Sequence, residues 1–222
     1  DGVYGAVERV NDHLPVPPPF EPRQRVWRIV ARQSVLASGS IERPLVFGNN
    51  DLPGVMLAGA VRTYVNRYAV LPGERGLVFT DNDDGWTTAA DLMAAGADVA
   101  AVVDSRGPFV VAALARRYPN FEAIAGEVND ASGGQHVESV EVTSHTGSSR
   151  RIYCDLVAMS GGWSPTLHLT SHKGHRPRWD ENRANFVPDK LPVGMRVAGA
   201  ANGNLALGEA LRSWGYETVE AD

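Results

Sequence analysis

Hydrophobic and polar positions in the first part of the chain alternate in short runs that are typical of β-strands. Residues 3–10 and 25–31 alternate apolar and polar side chains, which predicts half-exposed strands. The run at 34–37 is continuously apolar, as in a strand that is covered on both faces. Residues 13–22 carry five prolines, so no helix or central strand is expected there.

The next part of the chain alternates predicted helices with predicted strands. Helices are expected at 55–68, 87–95 and 108–118, and buried strands at 76–80, 98–103 and 123–125. This order is typical of a parallel sheet with right-handed crossovers, so we expect an α/β fold. An antiparallel hairpin should follow, and the C-terminal part should hold further short elements. The hairpin strands are predicted at 136–143 and 151–159. A helix is predicted to start at 164–165, strands are predicted at 186–187 and 196–199, and a last helix is predicted at 202–214.

Composition excludes several classes of protein. The chain has 222 residues, a net charge of −5 and one cysteine, Cys154. A mild acidic balance gives no general attraction to nucleic acid or anionic lipid, and no apolar run approaches the ~18 residues of a membrane span. We therefore expect no nucleic acid or membrane partner, no disulfide within the chain and a cytoplasmic location. Position 1 is not methionine, so the chain is expected to be a fragment.

The turn after the strand at 76–80 stands where a dinucleotide-binding βαβ unit would hold its phosphates. Asp104 follows about 20 residues on, as a ribose-binding carboxylate does. The glycines expected at 81, 83 and 86 are instead Asp81, Asp83 and Trp86. Two like charges at ~4 Å repel by about 4 kcal/mol at an effective dielectric constant near 20. We predict that this lobe holds no dinucleotide; a divalent cation bound by the acidic turn is an alternative, and solvated carboxylates are another.

Small residues at two other places predict contact with a nucleotide. Ser38 and Gly39 end one apolar strand, and Gly199, Ala200 and Ala201 follow another and open a predicted helix. Backbone N–H groups and the dipole at a helix start favour phosphate. The alternative is that small residues merely let a helix and a strand pack closely.

Other reactive side chains give weaker patterns. His168 and His172, at i and i+4, could share a metal, but no acid or third ligand stands at a suitable spacing and neighbouring basic residues oppose a cation, so these histidines and His175 are expected to be solvated or packed. Cys154 lies in an apolar strand and is expected to be an inert thiol. The Ser160-Gly161-Gly162 sequence is not a nucleophile elbow. We therefore predict neither a metal site nor a catalytic residue in this chain.

Several longer stretches resemble one known group of proteins, the alpha subunits of heterotetrameric sarcosine oxidases, within the flavoproteins that have two dinucleotide-binding domains. The Ala-Thr-Gly motif of that group stands here as Ala37-Ser38-Gly39. The stretches that carry the resemblance are 4–10, 35–44, 51–58, 61–68, 78–83 and 160–166.

The resemblance implies a Rossmann-like FAD/NAD(P)-binding fold of the pyridine nucleotide-disulfide oxidoreductase type. Residues 1–47 and 155–222 would be parts of one nucleotide-binding domain, and 48–154 an inserted second Rossmann-like lobe. The first βαβ unit of the fold would precede position 1. By similarity, Ala200, Leu205 and Leu207 fall on positions that contact NAD.

The resemblance also implies an activity and partners. The intact protein would bind NAD, while FAD and FMN would lie on a partner chain of the complex and tetrahydrofolate in a domain after position 222. The complex would be a hetero-oligomer that demethylates sarcosine oxidatively at the partner's flavin. The fragment alone is expected to be inactive and to bind NAD weakly or not at all. The alternatives are a non-catalytic assembly scaffold without nucleotide, or part of a related amino-acid, opine or proline oxidoreductase.

Overall fold

The computed structural model describes residues 2–213 of the chain. The chain divides into two compact units. We call Glu42–Trp163 the lobe, and Asp1–Ile41 with Ser164–Asp222 the discontinuous unit. The chain passes from one unit to the other within two short strands that pair with each other, described below as β4 and β12.

Four short strands precede the lobe's main sheet. They are β1 (Val3–Arg9), β2 (Gln24–Val30), β3 (Ser34–Leu36) and β4 (Ser40–Glu42). Strands β1 and β2 form an antiparallel hairpin in which Val3 pairs with Val30 and Val7 with Val26. The alternating pattern of the sequence predicted this hairpin's strands within one residue at each end.

The lobe contains the regular part of the fold. Its elements are β5 (Val55–Leu57), α1 (Ala58–Tyr68), β6 (Arg75–Thr80), α2 (Asp83–Ala94), β7 (Asp98–Asp104), α3 (Pro108–Arg117), β8 (Ala123–Ser132), β9 (Ser139–Ser144), β10 (Ser149–Tyr153) and β11 (Leu156–Ser160). The sheet order is β10-β9-β8-β7-β6-β11-β5. Neighbouring strands are parallel from β8 to β5, and β8, β9 and β10 form an antiparallel meander.

Two apolar cores lie on the two faces of the lobe's sheet. Helices α1, α2 and α3 pack one core around Val61, Trp86 and Leu92. The meander and the segment before β5 pack the other core, which includes Phe47 and Val140. The α/β architecture predicted from the sequence is confirmed.

Four strands, two helices and a 3₁₀ turn follow β11 in the described residues, and the first of them, β12, begins at the lobe's last residue. They are β12 (Trp163–Pro165), α4 (His168–Ser171), β13 (Arg178–Asp180), β14 (Asn185–Val187), β15 (Met195–Val197), the 3₁₀ turn Gly199–Asn202 and α5 (Leu207–Arg212). Strand β15 runs parallel to β3, and β13 and β14 form a hairpin. None of the helices in residues 2–213 is long and apolar enough to cross a membrane.

The second half of the predicted hairpin in the lobe differs from the structure. Residues 151–159 were expected to form one strand, but the chain makes β10, breaks at Asp155 and continues as β11. The Asp155 carboxylate accepts the backbone N–H groups of Glu74 at 2.9 Å and Arg75 at 2.8 Å. This side-chain contact follows the end of the hairpin, and β11 then lies next to the edge strand of the sheet, between β5 and β6.

The unit boundaries consequently fall at 41/42 and 163/164 rather than at 47/48 and 154/155. Strand β11 pairs with both β5 and β6, so it belongs to the lobe. Before β5, Phe47 lies in the lobe's core and Gly48 bridges to Asp130 of β8.

Four of the five predicted helix starts are wrong, and the predicted start of α2 falls four residues late. Residues 55–57 form β5 instead of the first turn of a helix, and residues 164–165 lie in β12. The last predicted helix is a 3₁₀ turn followed by the short α5, because Gly203, with φ +78°, ends the turn in the left-handed region. Position 214, where that helix was expected to end, lies outside the described residues.

We expect Gly85→Ala to destabilise the lobe. A Cβ at position 85 would lie 2.4 Å from the Thr80 side chain, so α2 would have to move away from β6. Overpacking of this kind costs about 1–3 kcal/mol, measurable by urea unfolding. Gly134→Ala is the control, because a Cβ there has only Glu138 Oε1 nearby, at 3.9 Å. Equal stability of the two variants would contradict the close contact.

Candidate nucleotide-binding site

The turn between β6 and α2 in the lobe is occupied by its own side chains. Asn82 is the N-cap of α2, and its Oδ1 accepts the backbone N–H of Asp84 at 2.9 Å. Its amide nitrogen donates to the Ser160 carbonyl at 3.0 Å. Helix α2 therefore starts at Asp83, four residues before the predicted start, because the acidic first turn is a favourable helix beginning.

The glycine that brings α2 close to β6 is Gly85. A dinucleotide fingerprint has its third glycine at this kind of contact, so the matching positions are 80, 82 and 85 rather than 81, 83 and 86. Thr80 and Asn82 then stand where the first two glycines would be. The side chains still replace the glycines that let a backbone approach a pyrophosphate.

Asp104, the predicted ribose-type carboxylate, is fully buried and bonded to protein donors. The indole N–H of Trp86 donates to its Oδ2 at 2.8 Å. The Arg106 guanidinium donates to the same oxygen through Nη2 at 2.7 Å, and the Arg106 backbone N–H donates to Oδ1 at 3.0 Å. Arg106 also pairs with Asp83 at 2.8 Å. These contacts support the prediction that the lobe holds no dinucleotide.

The acidic turn has no arrangement suited to a cation. Asp83 pairs with Arg106, and Asp84 accepts the Trp163 indole N–H at 2.6 Å. Among residues 2–213, no group of three or more His, Cys, Asp or Glu side chains could hold a metal ion. His168 and His172 are exposed.

Cys154 is a buried thiol at the end of the lobe's hairpin. Burial, together with the neighbouring Asp155, raises its pKa to about 12. A thiol with so high a pKa stays protonated at neutral pH and is a poor nucleophile, as the sequence predicted.

Glu42 presents a buried carboxyl to the start of α1, a contact that sequence reasoning missed. Its Oε2 accepts the Gly59 backbone N–H at 2.8 Å, while its Oε1 is buried without a hydrogen-bond partner. Burial raises the pKa of Glu42, although the Gly59 N–H and the neighbouring Ser160 side chain oppose the shift. The side chain alone gives no such signal, because burial of position 42 depends on the fold.

In the discontinuous unit, the predicted residues Ser38 and Gly39 lie next to Thr166. The Ser38 hydroxyl donates to the Thr166 carbonyl at 2.7 Å, and the Thr166 N–H donates to the Gly39 carbonyl at 3.0 Å. Gly39 has φ +72°, and a Cβ there would meet nothing within 4 Å. Its backbone is therefore open to close approach from one side.

The second predicted group forms a tight turn rather than the start of a long helix. The Gly203 N–H donates to the Ala200 carbonyl at 3.0 Å, and the Gly199 N–H donates to Ser213 Oγ at 2.9 Å. The Gly199 N–H is therefore already used, and a four-residue 3₁₀ turn provides no helix dipole of useful size. The phosphate argument made from the sequence does not hold at this turn.

The residues predicted to contact NAD differ in solvent exposure and in the space around them. A Cβ on Gly199 would meet only Ala210, at 3.8 Å, and Ala200 is half-buried. Ala201 is fully buried, whereas Leu205 and Leu207 are 43% and 76% exposed. A cleft of about 450 Å³ beside the turn has Val35, Val197 and Asn202 among its walls. Small residues and an open cleft fit a flat, partly apolar ligand better than an isolated phosphate.

Solved structures with the same architecture define the class of fold. The chain matches L-proline dehydrogenase from P. horikoshii with a TM-score of 0.57 and 22% identity, covering 87% of this chain and 37% of that one. It matches T. acidophilum thioredoxin reductase with a TM-score of 0.60 and 16% identity, covering 86% and 65%. The fold is that of the FAD/NAD(P)-binding oxidoreductases.

Curated relatives give a more specific similarity. The chain is 44% identical to the sarcosine oxidase alpha subunit of Rhizobium meliloti (strain 1021), over 94% of this chain and 21% of that protein. It is 38% identical to the sarcosine oxidase alpha subunit of Corynebacterium sp. (strain P-1), over 93% and 22%. The resemblance to sarcosine oxidase alpha subunits is confirmed, and the chain spans about a fifth of their length.

A more distant similarity links the chain to another oxidase. It is 23% identical to an opine oxidase subunit of Rhizobium meliloti (strain 1021), over 82% of this chain and 48% of that protein. No protein-family profile matches the chain. The names of these relatives describe subunits of multi-subunit oxidases.

Replacing Glu42 by Gln should remove one source of pH dependence. Because burial raises the pKa of Glu42 in the folded state, the folded chain binds more protons than the unfolded chain between the ordinary carboxyl pKa and the raised one. Stability therefore falls as pH rises from the first of these values to the second. Gln keeps an acceptor for the Gly59 N–H without a charge, so the variant should equal or exceed the wild type at pH 8.

Urea unfolding from pH 4 to pH 8 measures this difference. Glu127→Gln is the control, because Glu127 is exposed in β8 and should not change the pH profile. A Glu42→Gln variant that is less stable than the wild type at pH 8 would show that the charge stabilises the lobe.

Asp104→Asn should lower the stability of the lobe and leave nucleotide content unchanged. Asn keeps an acceptor for Trp86 but removes the charge that Arg106 pairs with, at a cost of about 2–4 kcal/mol. Asp98→Asn is the control at the other end of β7, where an exposed pair with Arg75 contributes at most about 1 kcal/mol. Folded full-length Asp104→Asn protein that loses its nucleotide would place a ribose at this carboxylate.

Proposed function

We propose that the chain forms part of the NAD-binding alpha subunit of a sarcosine oxidase, with the nucleotide held by the discontinuous unit. The observation that carries the proposal is 44% identity over 94% of the chain to one such protein. The whole enzyme would demethylate sarcosine oxidatively, acting on a CH–NH group. This fragment alone would be inactive and would bind NAD weakly.

The binding surface would be formed by Ser38 and Gly39 on one segment and by the turn at 199–203 on another. Gly39 and Gly199 both have positive φ, and a Cβ would meet nothing within 4 Å at Gly39 and only Ala210, at 3.8 Å, at Gly199, so a ligand could approach the backbone at both. Ala200, Leu205 and Leu207 would supply small or apolar contacts. The buried Ala201 would support the turn from within.

NAD, when bound, would supply a nicotinamide ring capable of accepting a hydride. The described residues of this chain would bind and position it, and we assign none of them an acid–base role. FAD and FMN would lie on a partner chain of the complex, and tetrahydrofolate in a separate domain. The whole assembly would be a cytoplasmic heterotetramer.

A related opine or proline oxidoreductase is the second candidate, favoured by the similarity to an opine oxidase and by the fold of L-proline dehydrogenase. A non-catalytic scaffold without nucleotide is the third. Extraction of the full-length complex, followed by mass spectrometry of the released nucleotide, separates the scaffold from the other two. Turnover assays with sarcosine, opines and proline distinguish a sarcosine oxidase from an opine or proline oxidoreductase.

Ala200→Asp tests where the nucleotide lies. A carboxylate and added volume at the half-buried second residue of the turn should reduce NAD retention at least tenfold, equivalent to about 1.4 kcal/mol. Retained NAD is measured by chromatography after denaturation of the full-length protein. Ala112→Asp makes the same change on the exposed face of α3 and should have no effect. Full NAD content in folded Ala200→Asp protein would show that the turn serves packing alone.

A further inference from the structure

Two side chains hold all the buried side-chain nitrogen and oxygen atoms that lack a hydrogen-bond partner in residues 2–213. They are Glu42, through Oε1, and Asn185, through both Oδ1 and Nδ2. Protonation can neutralise a carboxyl, so Glu42 has a way to reduce the cost of burial. An amide has no such option, and most buried polar groups in folded proteins are bonded.

Asn185 is 1% exposed and lies in β14, on the side of that strand that faces the interior of the discontinuous unit. Val187, two residues on, is also buried, while Phe186 between them is 53% exposed. This alternation places the Asn185 and Val187 side chains on the same face of the strand.

The buried face of β14 packs against the turn at 199–203. A Cβ on Gly203 would lie 2.8 Å from Val187 Cγ1 and 3.1 Å from Arg183 Cδ. Val187 shares its face of β14 with Asn185, and Arg183 lies in the turn just before that strand, so the contacts of Gly203 fall on both sides of Asn185 in the sequence. The unpaired amide and the predicted nucleotide-contact turn therefore lie on adjoining elements of one unit.

We infer that Asn185 is a nucleotide-binding residue, and this inference rests on the proposed function. Its amide would bond an uncharged part of the nucleotide, a ribose hydroxyl or a carboxamide, because such groups offer a donor and an acceptor together. A pyrophosphate offers acceptors only and would leave the Asn185 carbonyl oxygen unpaired. The nearby Arg183 does not compete for the amide, since its guanidinium pairs with Asp180 at 3.0 Å.

Asn185→Leu separates a binding role from a structural one. Leu has nearly the same shape and removes both unpaired atoms, so the nucleotide-free protein should be at least as stable as the wild type. NAD affinity of the full-length protein, measured by calorimetry on nucleotide-free samples, should fall at least tenfold. Asn185→Ala serves as a second variant that introduces no bulk, and it should show the same loss of affinity.

Phe186→Leu is the matched control, because its side chain lies on the exposed face of the same strand. It should change neither stability nor affinity. Wild-type NAD affinity in both Asn185 variants would overturn the inference and leave the proposed function standing. Full-length wild-type protein that binds no nucleotide would overturn both.

Discussion

The lobe depends on one buried carboxylate. Asp104 ends β7 and receives the Trp86 indole N–H from α2, the Arg106 side chain and the Arg106 backbone N–H. Trp86 is itself fully buried in the core between the helices and the sheet. The position of α2 on the sheet is therefore set by a charge-assisted contact at its beginning as well as by apolar packing along its length. This contact also uses the carboxylate that a dinucleotide would need.

The alternating pattern predicted the elements of the lobe well where burial is uniform. Strands β6 and β7 and helix α3 follow from apolar runs of the right period and were placed within one residue at each end. Two of the failures share a physical cause, which is that a polar side chain bonded to backbone N–H groups decides where an element begins or ends. Asp155 separates β10 from β11 through Glu74 and Arg75, and Asn82 starts α2 early.

In the candidate site too, some features can be predicted from the sequence and others depend on contacts within the fold. Small residues at 38–39 and 199–201 are visible in the sequence, and similarity to known proteins adds Leu205 and Leu207. Asn185 and Glu42 are ordinary polar residues in the sequence, and only the fold reveals that they are buried without full pairing. Local pattern identifies where a backbone can be approached, but the surroundings of a side chain depend on residues far away along the chain.

The two crossings of the chain between the units have a consequence for the order of folding. Strand β3 pairs with β15, so Ser34 must meet Met195 across the whole intervening segment. Closing so long a loop of unfolded chain carries a large entropic cost, which slows contacts of high sequence separation. Once the lobe has folded and β4 has paired with β12, the two halves of the discontinuous unit are joined through a short, ordered connection. The folded lobe thus brings the two halves of the discontinuous unit together, and the unit that would hold the nucleotide is expected to be the last part of the chain to fold.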